Sequence, residues 1–374
     1  RSNGDGRRGA TLRPRRIGPS AGPHRYVFVR FGRPFDRLLT AVAAAPCGRP
    51  VAARHAANTM RRDTDERRDR LESASDSHRI VRRLRDVPPH EVYEVRVDGR
   101  RAVYKRDTGP TGSAGVEGRV TAFVGRETSV PVPEVLSVGD DHYVAAWHPD
   151  APEPDAARVA DETWARAAGR TLATLHAETE SHLGAFGPFR PRDGADPVTD
   201  DGAPRVDGTE DWREAALAEV RRRRPVLARY GHGDVADAVV DLLRDRADAF
   251  AGAGPPVCCH GWATPEHVAV ADGRVACVVD FEHAVAAPAG FDYWRTVLPT
   301  FGGDDASSTA FREGYESVRS LPSGFDRRAP FYALLNEVYY VESLHVQDQH
   351  GPRETAERAA RLRENIFERV ERLS

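Results

Sequence analysis

The sequence predicts an α+β fold in which a small strand-rich region is followed by a larger helical one. Two short runs of β-branched and aromatic residues, 92–97 and 101–105, flank the turn pair Asp98-Gly99 and predict a β-hairpin. Three prolines between residues 149 and 154 form a stiff connector, and helical periodicity dominates the chain beyond them. We therefore expect the chain to change character near this connector.

The composition is typical of a globular protein. The chain has 374 residues, of which 40% are hydrophobic and 30% are charged. This length is enough for two domains or one two-part unit. No apolar run approaches the roughly 18 residues of a membrane span, so we expect none. The four cysteines give no disulfide framework, which fits a reducing interior and predicts a cytoplasmic protein.

Residues 1–59 differ from the rest of the chain. They hold 12 Arg and 2 Asp, a charge of +10, so a net charge of -3 leaves −13 for the remainder. The segment has no helical or strand period, and the only methionine of the sequence follows it at Met60. The simplest interpretation is that Met60 is the true start and that 1–59 is spurious upstream sequence or a disordered extension. A transit peptide and a basic nucleic-acid-binding tail are the alternatives.

Periodicity and turn residues predict the elements in order. The strand-rich part begins with a helix over 63–84, followed by the hairpin, a loop over 107–115, a helix over 116–126, and strands over 131–138 and 142–147. The helical part has helices over 156–178, 211–230, 235–250, 293–301, 307–319, 331–347 and 354–373, with a long surface loop over 187–209.

Lys105, at the end of the predicted hairpin, is the only lysine in the sequence. The other 53 of the 54 basic side chains are arginine, so arginine serves wherever a general positive charge suffices. An ammonium is a compact, rotatable point charge that suits contact with two phosphates, where a planar guanidinium fits poorly. The alternative is an isolated lysine on an exposed strand face.

The segment 257–294 carries the second group of polar residues. A short apolar strand runs into His260-Gly261, and a hairpin around Asp272-Gly273 follows. Its second strand ends at Asp280, where a carboxylate can point into a neighbouring cleft. Such a carboxylate is a candidate Mg²⁺ ligand, and a helix N-cap or turn residue is the alternative.

These motifs resemble the aminoglycoside phosphotransferase and choline kinase family, a branch of the protein-kinase-like fold. The resemblance covers roughly residues 79–345, with its most specific part in 257–294. The motifs that carry it are Lys105, Glu117 in the helix that follows, Leu175-His176-Ala177, His260-Gly261 and Asp280-Phe281-Glu282. The resemblance implies a bilobal fold, with an N-lobe over 60–150 and a helical C-lobe over 151–374.

The resemblance also implies ATP and Mg²⁺ as cofactors. Lys105 would hold the α- and β-phosphates of ATP, and Glu117 would pair with Lys105 and fix its position. Asp280 would coordinate Mg²⁺. The connector at Trp147 would be the hinge that receives adenine.

The loop after His260 departs from the family pattern. His260 matches the histidine that supports the catalytic turn, and Asp292 matches the structural acid after the metal loop. The family has Asp directly after His-Gly and Asn further on, whereas this chain has Trp262 and His267. An indole N–H can only donate, so Trp262 cannot accept the proton of a substrate hydroxyl. His267 is a candidate metal ligand, although Mg²⁺ prefers oxygen.

Two functions remain open at this point. The first is an ATP-dependent small-molecule phosphotransferase whose base is another residue, with Glu266, Glu282 and His283 as candidates. The second is a nucleotide-binding pseudokinase with a regulatory or scaffolding role. Loss of a general base typically lowers the rate by about 10²–10⁴-fold, so the altered loop does not exclude transfer. The partner is a small-molecule acceptor that the sequence does not identify.

A third hypothesis is a metal-binding or regulatory protein that uses Cys258, Cys259, His260, Cys277 and His283. Adjacent cysteines on a strand point to opposite faces and rarely share an ion, so buried packing explains them better. We expect no nucleic-acid partner, because the arginine run 221–224 forms one helical turn in an arginine-rich chain.

Overall fold

The computed structural model describes residues 78–152, 159–192, 194, 198 and 203–374. The strands are β1 His78–Val87, β2 His90–Val97, β3 Arg100–Asp107, β4 Val135–Val138, β5 His142–Ala146, β6 Gly187–Arg190, β7 Arg205–Val206, β8 Pro256–Cys259, β9 Val268–Ala271, β10 Arg274–Val278 and β11 Val285–Pro288. The α-helices are α1 Ala114–Glu127, α2 Glu162–Thr179, α3 Trp212–Arg229, α4 Gly233–Asp245, α5 Ala289–Phe301, α6 Asp305–Glu316, α7 Phe325–Val346 and α8 Pro352–Leu373.

The first five strands form an antiparallel sheet in the order β1-β2-β3-β5-β4. Asp98 and Gly99 join β2 to β3 with φ angles of 49° and 79°, as a two-residue hairpin turn requires, so the predicted hairpin is confirmed. Strand β3 lies at the centre of the sheet, where Lys105 is opposite Val92 on one side and Tyr143 on the other. The lysine is therefore held by hydrogen-bonded strands on both sides.

Strand β1 corrects the helix predicted over 63–84. Residues 63–77 lie outside the described residues, and the chain from His78 onward is a strand. Its pairing with β2 runs from His78 opposite Val97 to Val87 opposite His90, and Arg82 forms an ion pair with Glu94 at 2.8 Å. Pairing along the whole strand overrides the helix propensity of the charged residues.

Two glycines allow helix α1 to pack closely on the sheet. A Cβ atom added at Gly115 would lie 2.3 Å from the carbonyl oxygen of Asp140, and one at Gly118 would lie 2.5 Å from Cβ of Tyr143. The glycines thus allow the helix to approach β5 more closely than any other residue would. This approach brings Glu117 within reach of the buried face of β3.

The second half of the chain is mainly helical and shares one large core. Helix α2 begins later than predicted, at Glu162, because the side chain of Asp161 caps it by accepting a hydrogen bond from the Trp164 amide at 2.8 Å. The predicted loop over 187–209 contains β6 and β7, which pair with each other. No helix in the described ranges is long and apolar enough to cross a membrane.

Two small sheets position the polar segments of the second half. Strands β7, β6, β11 and β8 form one sheet in that order, and β8 leads directly into His260. Strands β9 and β10 form the predicted hairpin around Asp272 and Gly273, whose φ angles are 51° and 70°. Strand β10 ends just before Asp280. The structure is thus a β-sheet region followed by a helical region, which confirms the predicted bilobal α+β fold.

Candidate functional site

Three carboxylates surround the ammonium of Lys105. Its Nζ lies 2.7 Å from Oε2 of Glu117, 2.8 Å from Oδ1 of Asp280 and 2.8 Å from Oε2 of Glu282. Strand β3, helix α1 and the segment after β10 each supply part of this group. Lys105 is only 5% exposed, so the ion pairs are formed away from bulk water. We call Lys105 and these three acids the lysine cluster.

Burial and charge act in opposite directions on the pKa values of the lysine cluster. Burial alone would lower the pKa of Lys105, but the charges of Asp280, Glu117 and Glu282 raise it well above its usual value. Burial raises the pKa of Glu117 to about 7 against the attraction of Lys105. Tyr143 donates its hydroxyl hydrogen bond to Oε1 of Glu117 at 2.8 Å. The lysine therefore stays charged in this site.

Asp280 adopts a left-handed backbone conformation, with φ at 70°. This conformation is unfavourable for a residue other than glycine, and it occurs here at the turn that directs the carboxylate to Lys105. Nε2 of His267 lies 3.1 Å from Oδ2 of Asp280, and Nδ1 of His267 lies 2.9 Å from the carbonyl oxygen of Trp262. Although burial opposes it, the charge of Asp280 raises the pKa of His267. Both ring nitrogens of His267 therefore already have partners.

Two histidines contact Glu282 on its other sides. Nδ1 of His90 lies 3.1 Å from Oε2 of Glu282, and Nε2 of His283 lies 3.1 Å from Oε1. Burial alone would lower the pKa of His90, but hydrogen bonds to Asp107 and Glu282 raise it to about 9. Burial lowers the pKa of His283, and Glu282 opposes this only in part. His90 is therefore protonated near neutral pH and His283 is neutral.

Asp292 holds the turn that contains His260. Its two carboxylate oxygens accept hydrogen bonds from the amides of His260 at 2.7 Å and Gly261 at 2.8 Å. Nε2 of His176 lies 3.1 Å from Asp292 Oδ2, in a fully buried contact. Burial lowers the pKa of His260 to about 4, so its ring is neutral. This ring fixes the turn by accepting at Nδ1 from the Trp262 amide (3.2 Å) and donating from Nε2 to the Val279 carbonyl (3.0 Å).

Trp262 takes the place where the resemblance expects an acid. Its ring is edge-on to His283 and Tyr340, with centroid separations of 6.5 and 5.6 Å. Glu266, one of the three candidate bases, accepts a hydrogen bond from the Thr264 hydroxyl at 2.6 Å. Trp262 thus lies beside His283 and cannot supply the carboxylate that the resemblance expects at this position.

Trp147, the predicted adenine contact, lies just after β5. Its amide donates to the carbonyl oxygen of Arg101 at 3.0 Å, and the Arg101 guanidinium stacks on the indole at 3.3 Å from the ring centroid. Trp147 is partly exposed beside the sheet that carries Lys105. The structure therefore places it on the connector side of the sheet, stacked with an arginine.

The carboxylates of the lysine cluster also suit a metal ion. Oxygen atoms of Glu117, Asp280 and Glu282 lie within 4.8 Å of one another. Carboxylate oxygens are the ligands that Mg²⁺ prefers, so the donor set fits this ion. The cysteines of the third hypothesis are buried, and burial raises the pKa values of the thiols of Cys258 and Cys259. Buried thiols with raised pKa values favour packing over metal binding.

Sequence reasoning missed two features of this site. It did not single out His90, and it assigned Glu282 only as a candidate base, not as a partner of Lys105. Glu282 follows Asp280 by two residues, so its presence beside Lys105 depends on the short 3₁₀ turn Phe281–His283. The sequence contains no signal for His90 beyond its position next to Pro88-Pro89.

The sequence from 89 to 331 matches the family described as "Phosphotransferase enzyme family". The chain belongs to this phosphotransferase family. Because the match spans both the sheet region and the segment with Asp280, it covers the whole candidate site. No curated protein sequence matches the chain.

Solved structures share the fold of this family member. Aminoglycoside phosphotransferase APH(4)-Ia has 16% sequence identity and a TM-score of 0.56, over 83% of this chain and 98% of that chain. A thermostable mutant of that enzyme, in ternary complex with ADP and hygromycin B, has 15% identity and a TM-score of 0.55, over 81% and 97% of the two chains. A provisionally assigned fructosamine-3-kinase from Thermobifida fusca has 20% identity and a TM-score of 0.53, over 82% and 97%. These likenesses establish the protein-kinase-like fold.

Proposed function

We propose that this family member is an ATP-dependent small-molecule phosphotransferase. The observation that carries the proposal is the lysine cluster, in which one buried ammonium is held by carboxylates from a helix and from the segment after a hairpin. Such an ammonium suits contact with phosphate oxygens. The binding of ADP by a protein of the same fold supports a nucleotide as the donor.

In this proposal the lysine cluster binds the nucleotide phosphates and the metal ion. Lys105 binds phosphate oxygens of the nucleotide, and Glu117 keeps Lys105 in position. Asp280 and Glu282 would hold Mg²⁺, which when bound neutralises phosphate charge. An imidazole with both nitrogens hydrogen-bonded has no lone pair to give a metal, so His267 orients Asp280 instead. Trp147 lies at the connector and would contact adenine.

His283 is the base that best fits the acceptor half of the site. Its Nε2 faces Oε1 of Glu282 at 3.1 Å, which favours the tautomer with the proton on Nε2. Nδ1 is then free to accept, and it has no hydrogen-bond partner among the described residues. As a new P–O bond forms to the acceptor oxygen and the bond to ADP breaks, the hydroxyl proton passes to this Nδ1. Glu282 stabilises the imidazolium that results.

A nucleotide-binding pseudokinase is the second candidate function. Trp262 favours it, because this side chain replaces the expected acid beside the acceptor position and cannot accept a proton. The two functions share nucleotide binding and differ only in transfer. They therefore require two separate measurements.

The first measurement is a titration of ADP and ATP with and without Mg²⁺. We expect binding that needs Lys105 and is weakened in Lys105→Met and Asp280→Asn, both tested below their unfolding temperatures. The second is turnover against a panel of alcohols, sugars and amines with wild type, His283→Asn and the control His345→Asn. His345 lies in the last turn of α7, where it stacks on Tyr230. Its replacement should leave the rate unchanged.

Each result separates the two functions. Nucleotide binding with turnover that is lost in His283→Asn and kept in His345→Asn supports the phosphotransferase. Nucleotide binding without any turnover across the panel supports the pseudokinase. Absence of nucleotide binding by the wild type would overturn both.

A further inference from the structure

Arg295 on helix α5 is a buried cation that has no ion-pair partner among the described residues. Three arginines in the described part of the chain are at most 8% exposed: Arg106, Arg295 and Arg328. Arg106 pairs with Glu91 at 2.7 Å, and Arg328 donates to two backbone carbonyl oxygens at 2.8 and 2.9 Å. Arg295, at 5% exposure, forms no ion pair or hydrogen bond with any described residue, and its Nε is buried without an acceptor.

Aromatic rings offset only part of the free-energy cost of burying the Arg295 charge without an ion-pair partner. The guanidinium carbon of Arg295 lies 4.3 Å from the ring centroid of Tyr339 and 5.6 Å from that of Phe291. Cation–π contacts stabilise a cation by less than the free-energy cost of burying it without a counter-ion. The arrangement therefore favours an anion from outside the described chain as the missing partner of Arg295.

Further polar atoms without partners lie on the helix that packs against α5. The hydroxyl of Tyr340 and both amide atoms of Asn336 are buried and have no hydrogen-bond partner in the described structure. The two residues are four apart on α7, so they share one face of that helix. Burial raises the pKa of Tyr340, and the charge of Arg295 opposes that rise. Tyr340 directly follows Tyr339, on whose ring Arg295 stacks. Both side chains can donate hydrogen bonds to an anion.

A chain of contacts connects Arg295 to the lysine cluster. Tyr339, on which Arg295 stacks, has its hydroxyl 3.0 Å from Nε2 of His283. That nitrogen is 3.1 Å from Glu282, which contacts Lys105. Trp262 is edge-on to both His283 and Tyr340. Arg295 is therefore connected through Tyr339 to His283, the residue proposed to face the acceptor.

We propose that Arg295 binds a carboxylate or phosphate group of the acceptor, so that the substrate is a small anionic alcohol. The assignment of the bound anion to the acceptor rests on the proposed function. The presence of an anion site at Arg295 does not depend on that function. The acceptor would place its anionic group on Arg295, with Tyr340 and Asn336 as further donors. Its hydroxyl would then face Nδ1 of His283.

The test uses inorganic phosphate and glycerate, which carries both a carboxylate and hydroxyls. Both are titrated calorimetrically into the full chain without nucleotide, for wild type, Arg295→Gln and Arg223→Gln. Arg223 is the matched control, because it also lies over the Tyr339 ring, at 4.9 Å, but is paired with Glu219 and Glu342. We expect binding in wild type and Arg223→Gln, and at least about tenfold weaker binding in Arg295→Gln, the loss of one charge-assisted contact.

Thermal unfolding gives an independent readout. Removing an unpaired buried charge should leave the unfolding temperature of Arg295→Met unchanged or raise it, whereas Arg328→Met should lower it. Phosphate should raise the unfolding temperature of the wild type and not that of Arg295→Met. Equal phosphate binding by wild type and Arg295→Gln, or a loss of stability in Arg295→Met as large as in Arg328→Met, would overturn the proposal.

A last titration tests whether Arg295 binds an anionic group of the acceptor or the phosphates of the nucleotide. If Arg295 binds the acceptor, ADP·Mg²⁺ binds Arg295→Gln as tightly as wild type. An ADP affinity at least tenfold weaker in Arg295→Gln would assign Arg295 to the nucleotide phosphates and overturn the acceptor assignment. Phosphate binding is measured without nucleotide. A failure of ATP binding would therefore refute the proposed function, and phosphate binding at Arg295 could still be tested.

Discussion

Replacing Lys105 with methionine removes the one side chain among the described residues that contacts all three carboxylates of the lysine cluster. Methionine is similar in length to lysine, so the change is mainly electrostatic. The oxygens of Glu117, Asp280 and Glu282 lie within 4.8 Å of one another, so the acids repel once the ammonium is gone. At that distance each pair of charges would cost about 3 kcal/mol at an effective dielectric constant near 20.

Protonation limits the loss of stability. The pKa of Glu117 is already about 7, so this residue takes up a proton when Lys105 is removed. We therefore expect a loss of about 3–5 kcal/mol, the usual cost of breaking a buried ion pair. For a chain of this size that corresponds to a fall in unfolding temperature of roughly 6–10 °C.

Scanning calorimetry without nucleotide measures this effect. The loss in Lys105→Met should be smaller near pH 5 than near pH 8, because protonated acids do not repel. Millimolar Mg²⁺ should restore part of it, since carboxylate oxygens bind the ion in place of the ammonium. The control is Arg106→Met. Arg106 is the neighbouring buried cation on β3, and it pairs with Glu91. Arg106→Met should lose stability without responding to Mg²⁺.

Two results would refute the electrostatic reasoning. One is an unfolding temperature of Lys105→Met equal to that of wild type at both pH values. The other is a loss in Lys105→Met that neither pH nor Mg²⁺ alters. In that case packing, and not the charge of Lys105, would account for the stability of the cluster.

Three further substitutions test other parts of the site. His283→Asn should lower kcat by about 10²–10⁴-fold with unchanged ADP affinity, as steady-state kinetics and calorimetry can show, and an equal rate would remove His283 as the base. Asp292→Asn should cost at least about 3 kcal/mol in urea unfolding, since its carboxylate accepts two amide hydrogen bonds and contacts a buried histidine. The pKa of His90 is raised from 6.5 to about 9, so its contribution is full below 6.5 and is lost as pH rises through 9. The stability gap between wild type and His90→Gln should therefore close over that interval, and a gap that widens would contradict the assignment.

Local turn chemistry made both hairpins predictable. Asp98-Gly99 and Asp272-Gly273 adopt the positive φ angles that a two-residue turn requires, and each lies between β-branched runs. The meeting of Lys105, Glu117 and Asp280 was predicted from the family resemblance alone. No periodicity places residues so distant in sequence side by side.

Other features depend on tertiary context that the sequence does not carry. Strand β1 was predicted as a helix because its charged residues have good helix propensity, and only its pairing with β2 makes it a strand. The sequence does not distinguish Arg295 from the other arginines, because arginine supplies nearly every positive charge of this chain. Its distinction is the absence of a partner among the described residues, which appears only when the surroundings of each arginine are compared.

The direct packing of α1 on β5 has a consequence for control of the site. Protein-kinase-like folds can be switched off by swinging a helix outward, which separates its glutamate from the strand lysine. Here Gly115 and Gly118 bring the helix backbone against Asp140 and Tyr143, so an outward swing would open a void in the sheet region. The close packing of α1 thus holds Glu117 against Lys105. In the proposed phosphotransferase, displacement of α1 would therefore be a costly way to control the site.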